Sequence, residues 1–378
     1  MSLLPLSLYI HFPWCIQKCP YCDFNSHAVK SGIPETAYID RLLEDLQADL
    51  SLLTSAAKIQ SIFMGGGTPS LFSPNSLAYL LNGIKQQIEL AADCEITLEA
   101  NPGTFESAKF KAFRELGINR LSIGIQSFND SHLQKLGRVH NATEAIKAVN
   151  IAQQAGFDNL NLDLMFGLPE QTQSEALADV QTAISLNPSH ISFYQLTLEP
   201  NTYFYKFPPK LPEDDRIFAM QKSCQQLLAD NGYLQYEISA YAKAGFQSRH
   251  NLNYWQFGDY LGIGAGAHGK ISRSLPNDIL RTAKLKSPEH YLNTANARSD
   301  AVITVAELPL EFMMNHLRLK TGFNLDNFPK TTGLSCDSLQ PALSQCLAQD
   351  LLIQQQRQLY CSDRGWNFLD DILEKFIP

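Results

Sequence analysis

The sequence predicts an α/β fold, in which an incomplete (β/α)6 barrel is followed by a small C-terminal winged-helix-like α+β domain. Apolar runs of strand length alternate with amphipathic helical runs along the first part of the chain. Strands spaced by helices imply parallel pairing with right-handed crossovers, and helices of this length can cover the outside of a barrel. Further along, this alternation gives way to two helical patterns, a hairpin pattern and a last helical pattern.

The barrel prediction rests on six strands, each read from a short apolar run rich in β-forming residues. They cover residues 7–12, 61–64, 95–100, 120–126, 160–166 and 191–198. Helical patterns between them include residues 35–53, 74–88, 106–116 and 142–155. Because chemistry in such barrels takes place at the C-terminal ends of the strands, we expect the functional residues there.

Three segments are predicted along the chain. Residues 1–200 form the barrel core, 201–300 an extension, and 301–378 the winged-helix-like domain. The extension begins with a helix at 213–231, continues as a mixed stretch over 236–270, and ends as a linker and surface segment over 272–300. In the last segment we predict a hairpin at 352–360, with Gly322 and Gly333 as turn residues.

Composition excludes several classes of protein. The chain has 378 residues, of which 44% are hydrophobic, enough to fill a large core. No apolar run approaches the roughly 20 residues of a membrane-spanning helix, and the opening residues MSLLPLSLYI lack the charged start of a signal peptide. We therefore expect a soluble, cytoplasmic protein. With a net charge of -8 and no basic block, no nucleic-acid partner is expected.

The stretch YIHFPWCIQKCPYCDFNSH places three cysteines, Cys15, Cys19 and Cys22, in the pattern C-x3-C-x2-C just after the first predicted strand. Thiolates are soft ligands that select zinc, copper(I) or iron-sulfur clusters. Three thiolates on one loop leave a four-iron cluster with one iron that lacks a protein ligand. The pattern predicts a 4Fe-4S cluster with a coordination position open to a small molecule.

Two other uses of these cysteines are disfavoured. A Cys3His zinc site with His11 or His27 lacks the second pair of ligands that usually closes a structural zinc site. A disulfide framework is disfavoured because nothing in the sequence points to export. Five further cysteines are scattered among apolar neighbours and are interpreted as small buried hydrophobic residues: Cys94, Cys224, Cys336, Cys346 and Cys361.

Polar or glycine-rich residues follow the ends of the next predicted strands. The turn Gly65-Gly66-Gly67 lets a ligand approach the backbone, although an ordinary tight turn would use the same residues. Burying the charge of Glu99 at a barrel strand end costs free energy unless the carboxylate is paired, which suggests a ligand. Alternatively, Glu99 forms an ordinary salt bridge. Gln126, Arg138 and Asp163 extend the same polar rim, where Asp163 can accept protons from ribose hydroxyls.

These motifs resemble the radical S-adenosylmethionine (SAM) superfamily, in which the amine and carboxylate of SAM complete the coordination of the cluster. The runs MGGGTPS, LEANPG, GIQSF, GRVHN, DLMFGLP and SFYQLTLEPNT narrow the resemblance to one group of that superfamily. The group contains the oxygen-independent coproporphyrinogen III dehydrogenases (HemN) and the haem chaperones (HemW). The resemblance implies a cluster held by the three cysteines and SAM-binding positions at Tyr9, Tyr21, Gly66, Gly67, Thr68, Glu99, Gln126, Arg138 and Asp163.

Within this group, the sequence departs from the dehydrogenases at two places. Dehydrogenases carry a fourth cysteine two residues after the third, where this chain has Phe24, and they have a substantial segment ahead of the barrel. Both departures favour the chaperones. His250-Asn251-Leu252-Asn253-Tyr254 matches the H-N-x-x-Y motif associated with haem binding in the chaperones, and this match predicts haem contacts at His250 and Tyr254.

Chemistry alone supports haem at His250 only weakly. Imidazole is a common axial ligand of haem iron, and Tyr254, Trp255 and Phe257 can pack on a porphyrin face. A single histidine is nevertheless more often a hydrogen-bonded structural residue. His268 is a weaker second candidate for a ligand. The run Gly262-Ile263-Gly264-Ala265-Gly266 lacks the strand-turn-helix context of a dinucleotide site and is discounted as one.

The resulting hypothesis is a haem chaperone that carries a SAM-ligated 4Fe-4S cluster, holds haem through His250 and transfers it to recipient haem proteins. No coproporphyrinogen dehydrogenase activity is expected. Two alternatives stay open at this point: a radical dehydrogenase that decarboxylates the propionates of coproporphyrinogen III, and a scaffold whose cluster responds to neither SAM nor haem. The resemblance also leaves open a homodimer and peripheral association with a membrane.

Overall fold

The structure, a computed structural model, describes residues 4–30, 32–103, 107–295 and 297–378. Its strands, numbered in chain order, are β1 Leu6–Phe12, β2 Trp14–Cys15, β3 His27–Ala28, β4 Ile59–Gly66, β5 Leu90–Ala100, β6 Arg120–Gln126, β7 Asn159–Phe166, β8 His190–Gln195, β9 Leu234–Glu237, β10 Ala240–Ala242, β11 Asp259–Ile263, β12 His268–Ser274, β13 Asp278–Lys284, β14 Arg298–Val302, β15 Phe323–Asn324, β16 Leu352–Gln355 and β17 Gln358–Cys361.

The α-helices are α1 Glu35–Leu50, α2 Pro74–Gln87, α3 Phe110–Glu115, α4 Asp130–Lys135, α5 Ala142–Gln154, α6 Gln173–Ser185, α7 Tyr203–Lys206, α8 Asp214–Asp230, α9 Arg249–Trp255, α10 Pro288–Asn293, α11 Leu308–His316, α12 Asn327–Thr332, α13 Ala342–Ala348, α14 Asp363–Asn367 and α15 Leu369–Leu373. The 3-10 turns are Pro69–Leu71, Cys336–Leu339 and Glu374–Phe376. Glu106, where the predicted helix at 106–116 begins, lies outside the described residues.

The predicted barrel is confirmed as an open, curved sheet. Strands β1, β4, β5, β6, β7 and β8 lie side by side in that order, and each pair is parallel. Neighbouring strands continue the sheet at both edges. Strand β11 pairs in parallel with β1 and is followed by the antiparallel β12, β13 and β14, while β10 and β9 extend the β8 edge antiparallel. The two outer edges, β14 and β9, do not pair.

Alternation along β1 shows how the sequence builds this sheet. Leu8, Ile10 and Phe12 are fully buried and belong to the main core beneath the outer helices, where Tyr38 and Leu42 of α1 meet them. The intervening residues Ser7, Tyr9 and His11 point to the other face, because successive strand residues alternate between faces. The inner face is therefore polar and lines a lumen, while the outer face holds the hydrophobic core.

The prediction of a linker over residues 272–300 is wrong, because this segment contains the end of β12, all of β13, α10 and most of β14. In the structure, Lys284 is buried and pairs with Asp45 and Asp49 of α1, and Arg298 also reaches Asp49, at 2.9 Å. Buried charges of this kind are paired rather than solvated. A charged residue such as Lys284 can therefore belong to a buried strand.

The C-terminal domain has its own core. Helices α11, α12 and α13 pack with a three-stranded sheet of order β15-β17-β16 around Phe312, Phe328 and Leu359. The predicted hairpin is confirmed as β16 and β17, and helices follow it, but three helices and the short strand β15 precede it where two helices were predicted. The boundaries proposed at residues 200 and 300 stay predictions. Among the helices of the described ranges, none is long and apolar enough to cross a lipid bilayer.

Helix α9 lies inside the lumen rather than outside the barrel. It occupies part of the stretch predicted as mixed structure and carries the H-N-x-x-Y residues. The His250 backbone N–H donates to Glu95 Oε1 at 3.1 Å, and its ring packs against Phe63 of β4 with centroids 5.1 Å apart. The motif therefore sits against the inner face of the sheet, where His250 contacts Ser61 in the first half of β4.

Candidate functional site

Most of the predicted site residues line one cavity at the C-terminal ends of the parallel strands. We call it the cluster cavity, and its volume is about 350 Å³. It brings together Cys15, Cys19, Tyr21, Cys22, Gly66, Gly67, Thr68, Glu99, Gln126, Arg138 and Asp163. Because these side chains come from separate strands and loops, the fold gathers into one place what the sequence spreads over more than a hundred residues.

A second cavity adjoins the first. This lateral cavity, of about 360 Å³, is lined by Tyr9, His11, Phe24, Asn25, Gly66, Glu99, Tyr254, Tyr260, Gly266 and His268. Phe24, Gly66 and Glu99 line both cavities. Of the predicted SAM-binding residues, Tyr9 is the one placed in the lateral cavity alone, and it lies beside the shared Gly66 and Glu99.

A larger cavity of about 810 Å³ lies elsewhere, between the start of β1 and the C-terminal domain. Two of its charged residues are ion-paired, Asp259 with Lys270 at 2.8 Å and Arg273 with Asp278 at 2.6 Å. It contains none of the predicted ligands. The cluster and lateral cavities, at the strand ends, are therefore the candidate functional site.

The cysteine loop is fastened by backbone hydrogen bonds on both sides. Strand β2, which ends at Cys15, pairs in parallel with β3, and the Val29 N–H donates to the Cys15 carbonyl at 2.9 Å. Within the loop, the Cys22 N–H donates to the Cys19 carbonyl at 3.1 Å. All three thiols are free. These backbone hydrogen bonds fix the shape of the loop.

Burial favours the protonated form of two of these thiols, Cys15 and Cys22. Burial raises the pKa of Cys15 and of Cys22, and the neighbouring cysteine thiolates raise both further, while the Ser26 hydroxyl lowers both. Iron would replace these protons, because metals bind the thiolate form. Arg138 donates from Nη1 to Cys19 Sγ at 3.6 Å, so it places a positive charge beside the third thiol.

The donor set fits a four-iron cluster better than a single ion. Across the described ranges, no group of three or more His, Cys, Asp or Glu side chains is arranged to hold one metal ion. In a four-iron cluster each thiolate binds a different iron, so the three sulfurs need not converge on one point. Both ring nitrogens of His11 are engaged, Nδ1 with the Tyr9 hydroxyl and Nε2 with the Asn25 carbonyl, which disfavours the zinc alternative.

The glycine turn after β4 holds the cysteine loop through close backbone contact. Gly67 donates its N–H to the Phe12 carbonyl at 2.7 Å, and a Cβ on Gly67 would lie 2.4 Å from the Trp14 carbonyl oxygen. Gly66 has a φ of +108° and donates to Glu99 Oε2 at 3.0 Å. These contacts explain why glycine is needed at both positions, because a side chain at either one would displace the loop.

We expect Gly66→Ala to destabilise the protein by about 2–3 kcal/mol more than Gly117→Ala does. Both glycines have a positive φ, +108° and +96°, but a Cβ on Gly66 would lie 2.4 Å from the His11 ring, whereas nothing lies near Gly117. Since His11 anchors the loop at Asn25, the Gly66 variant should also retain less iron after reconstitution. Urea unfolding and iron analysis would check this, and equal losses in both variants would contradict it.

Two carboxylates face each other across the lumen. Burial, reinforced by the charge of Asp163, raises the pKa of Glu99 to about 8. Burial also raises the pKa of Asp163, although it accepts hydrogen bonds from Asn161 at 2.8 Å and from Ser122 at 3.2 Å. A cationic or hydroxyl-bearing ligand between them would be favoured, because it would relieve this repulsion.

A pH-dependent stability follows for the cluster-free protein. Glu99 keeps its proton up to about pH 8 in the folded state, against a reference pKa of 4.5. Because the folded state binds more protons between these pH values, wild-type stability falls as the pH rises through that interval. The free energy of unfolding of Glu99→Gln, measured relative to the wild type, should be about 2 kcal/mol higher at pH 9 than at pH 5.5. This value allows for screening by cavity water.

Urea unfolding at the two pH values would measure this difference. Glu115→Gln, which removes an exposed carboxyl remote from both cavities, controls for the loss of one charge. A Glu99→Gln effect that is the same at both pH values would show that the Glu99 carboxyl is not held in its neutral form.

The remaining predicted SAM residues are fixed by polar contacts. Arg138 Nη2 donates to Asn101 Oδ1 at 2.6 Å and to the Gly124 carbonyl at 2.7 Å. Gln126 has a φ of +69° at the end of β6, and its side-chain oxygen accepts from the Tyr194 hydroxyl at 2.8 Å. Such strained backbone at a strand end persists where surrounding contacts determine it.

His250 does not lie open to the cavities. Its side chain is buried, with Nδ1 3.0 Å from Ser61 Oγ and Nε2 2.8 Å from Tyr254 Oη. Burial lowers the pKa of His250 to about 3, so the ring is neutral. Both ring nitrogens are engaged, and ligation of iron would break one of these hydrogen bonds. Its predicted partner Tyr254 does line the lateral cavity.

Sequence reasoning missed several residues around the two cavities. His11, Asn25, Asn101, Tyr194 and Tyr260 all contact predicted site residues or line the lateral cavity. Two of them carried a signal in the sequence. His11 and Asn101 stand two residues beyond Tyr9 and Glu99, so the strand period places them on the same face.

Comparisons with known proteins agree over the whole chain. Residues 9–183 match the radical SAM superfamily, and residues 303–368 match the HemN C-terminal domain. The chain is 52% identical to the haem chaperone HemW of Haemophilus influenzae, an alignment that covers 100% of this chain and 99% of that protein. The chain belongs to the HemW family.

Other HemW-family relatives support the same assignment. The Escherichia coli haem chaperone HemW is 47% identical, with 100% of this chain and 99% of that protein covered. A mouse mitochondrial protein, radical S-adenosyl methionine domain-containing protein 1, is 34% identical over 98% of this chain and 87% of its own length. The fold also matches E. coli coproporphyrinogen III oxidase (HemN), with a TM-score of 0.83, 20% identity and coverage of 100% and 91%.

HemW-family membership implies a 4Fe-4S cluster and SAM, through the radical SAM superfamily to which the family belongs. The geometry of the cluster cavity fits both groups. Three free thiols stand on a fastened loop, and carboxylate, guanidinium and amide groups surround them.

Proposed function

We propose that this protein binds haem and transfers it to haem proteins, on a scaffold that carries a SAM-ligated 4Fe-4S cluster. The observation that carries the proposal is the full-length similarity to relatives named haem chaperones, at 33–52% identity. Phe24 supports it as well. It occupies the position where the dehydrogenases have a fourth cysteine, and the residue is 62% exposed at the edge shared by both cavities.

The proposed cluster ligands are Cys15, Cys19 and Cys22. When bound, a four-iron cluster held by three thiolates would supply one iron without a protein ligand, whose coordination the amine and carboxylate of SAM can complete. Arg138 donates to Cys19 Sγ and so places a positive charge beside the proposed ligand.

SAM is proposed to lie between the glycine turn and the two lumen carboxylates. Glu99 and Asp163 supply acceptors for amine and hydroxyl protons, and the positive sulfonium of SAM would lower the pKa of Glu99. Thr68, whose hydroxyl accepts from Asn101 at 2.8 Å, holds the edge of the turn. Tyr9, Tyr21, Gly66, Gly67, Gln126 and Arg138 complete the proposed SAM-binding set.

For haem, Tyr254 is proposed as a contact in the lateral cavity, with His250 held behind it. Recipient haem proteins are the proposed partners, and the cytoplasm is the proposed location, consistent with eight free cysteines among the described residues. A homodimer and peripheral membrane association stay predictions of the resemblance alone.

The proposal is tested by haem transfer. Haem-loaded protein is mixed with the apo form of a haem enzyme from the same cells, and the recipient's absorption spectrum and regained activity are followed. Serum albumin loaded with haem to the same free concentration controls for passive release. We expect faster loading from this protein than from albumin, and equal rates would contradict a chaperone function.

A further inference from the structure

His268 has the free imidazole that His250 lacks. It is exposed at the wall of the lateral cavity, and within the described ranges no hydrogen bond reaches either of its ring nitrogens. His11 and His250 have both ring nitrogens engaged, and the exposed His27, beside the cavity residue Asn25, has its Nε2 3.2 Å from Asn25 Oδ1. An axial ligand needs a lone pair with open space in front of it, and His268 meets that need without rearrangement.

Aromatic side chains line the same cavity as this imidazole. Tyr254 and Tyr260 pack edge to face with centroids 4.4 Å apart, and both line the cavity with Tyr9. Phe24 adds an exposed phenyl ring at the cavity edge. Phe24 is exposed and the three tyrosines are partly buried at the cavity wall, so together they offer a surface that a flat apolar ligand can cover. A cavity of about 360 Å³ encloses only part of a porphyrin. Partial enclosure is compatible with release of the haem to a recipient protein.

The charges at the cavity edge complement the two propionates of haem. Lys18 Nζ donates to the Phe24 carbonyl at 3.2 Å, so a cation lies beside the exposed ring. Lys286 is exposed, and its charge reaches His268 and helps to lower the pKa of that imidazole after the larger effect of burial. The imidazole is therefore kept in its neutral, ligating form, while both lysines are free to pair with carboxylates.

We propose that haem docks in the lateral cavity with His268 as the axial ligand of its iron and Phe24 against the porphyrin face. This inference rests on the proposed function. His250 then acts as a positioning residue: its ring holds the Tyr254 hydroxyl at 2.8 Å, and Tyr254 forms the back wall of the haem site. The H-N-x-x-Y motif would thus shape the site without binding the iron.

The test is an anaerobic titration of ferric haem into cluster-reconstituted wild type, His268→Ala and His290→Ala, followed by difference absorption and electron paramagnetic resonance. His290 is an exposed histidine on α10 and serves as the matched control. We expect His268→Ala to lose at least tenfold in haem affinity together with the histidine-ligated spectrum, and added free imidazole to restore that spectrum. His290→Ala should behave as wild type.

Cluster absorbance that is unchanged in His268→Ala would show that the variant is folded, and His268→Gln provides a second variant of similar volume. Phe24→Ala should weaken haem binding about threefold to tenfold without altering the axial ligand spectrum. Wild-type affinity and spectrum in both His268 variants, with the histidine signature lost in His250→Gln, would overturn the assignment of the ligand but keep the haem function. Failure of the wild type to bind haem saturably would overturn both.

Discussion

Replacing Cys15, Cys19 and Cys22 together by alanine should abolish the iron-sulfur cluster and, with it, SAM binding. The three free thiols are the cysteines that line the cluster cavity, and a cluster with no protein thiolate has nothing to hold it there. We expect reconstituted variant to contain no cluster iron and to lack its broad visible absorption. Iron and sulfide analysis, with equilibrium dialysis of labelled SAM, would measure both effects.

Cys94, Cys336 and Cys346 supply the control for this variant. All three are free thiols away from the cavity, and replacing them together by alanine removes the same number of sulfurs. The control should keep the full cluster, despite a stability loss of about 1 kcal/mol for each buried thiol. A cluster that persists in the first variant, or one lost equally from both, would contradict the assignment of the ligands.

The second large effect is structural. His250→Ala should destabilise the protein by about 3 kcal/mol even when no haem is present, because the side chain is buried and both ring nitrogens make hydrogen bonds. The substitution leaves a cavity beside Phe63 and removes the partner of the Tyr254 hydroxyl. Urea unfolding of the haem-free protein would measure the loss.

His290→Ala, on an exposed helix face, should change the stability by no more than about 0.5 kcal/mol. If His250→Ala were equally mild, the buried hydrogen-bonded arrangement would be wrong. The comparison also affects the interpretation of haem assays, because lower haem binding in His250→Ala can result from a displaced Tyr254. The haem spectrum, which reports the axial ligand of the iron, distinguishes the two cases: loss of the ligand itself and displacement of Tyr254.

The parallel strands were predictable because their outer faces carry strong apolar periodicity. In β1, Leu8, Ile10 and Phe12 pack on the core, and the predicted strand differs from the observed one by a single residue. The cysteine spacing and the strand-end position of Glu99 were likewise readable, because a parallel sheet brings its C-terminal strand ends together. The local sequence was sufficient to predict a strand wherever buried and unburied residues alternate along it.

Strand β13 and helix α9 were not predictable for a shared reason. Lys284 looks like a surface residue, but it is buried against Asp45 and Asp49 of a distant helix. The buried side chains of α9 are His250 and Asn253, because this helix faces a polar lumen and has no apolar stripe. Neither segment shows the usual pattern of burial, since its partners are charged or polar groups far along the chain.

The position of His268 also depended on tertiary structure. Asn25 Nδ2 donates to the Ala265 and Lys286 carbonyls, both at 2.8 Å, and so joins the cysteine loop to the turn before β12. Gly266 leaves room for this contact, since a Cβ there would lie 2.5 Å from Asn25. The glycine run discounted as a dinucleotide site covers the end of β11 and the turn before β12, and this turn brings His268 to the cavity.

The central claim, that this protein handles haem rather than oxidising a porphyrinogen, is tested most directly on one anaerobic preparation of reconstituted protein with SAM. Half receives haem, and half receives coproporphyrinogen III with a low-potential reductant. The account predicts saturable haem binding in the first half and no vinyl product in the second. Steady formation of vinyl product, without saturable haem binding, would contradict the account and assign the chain to the dehydrogenases.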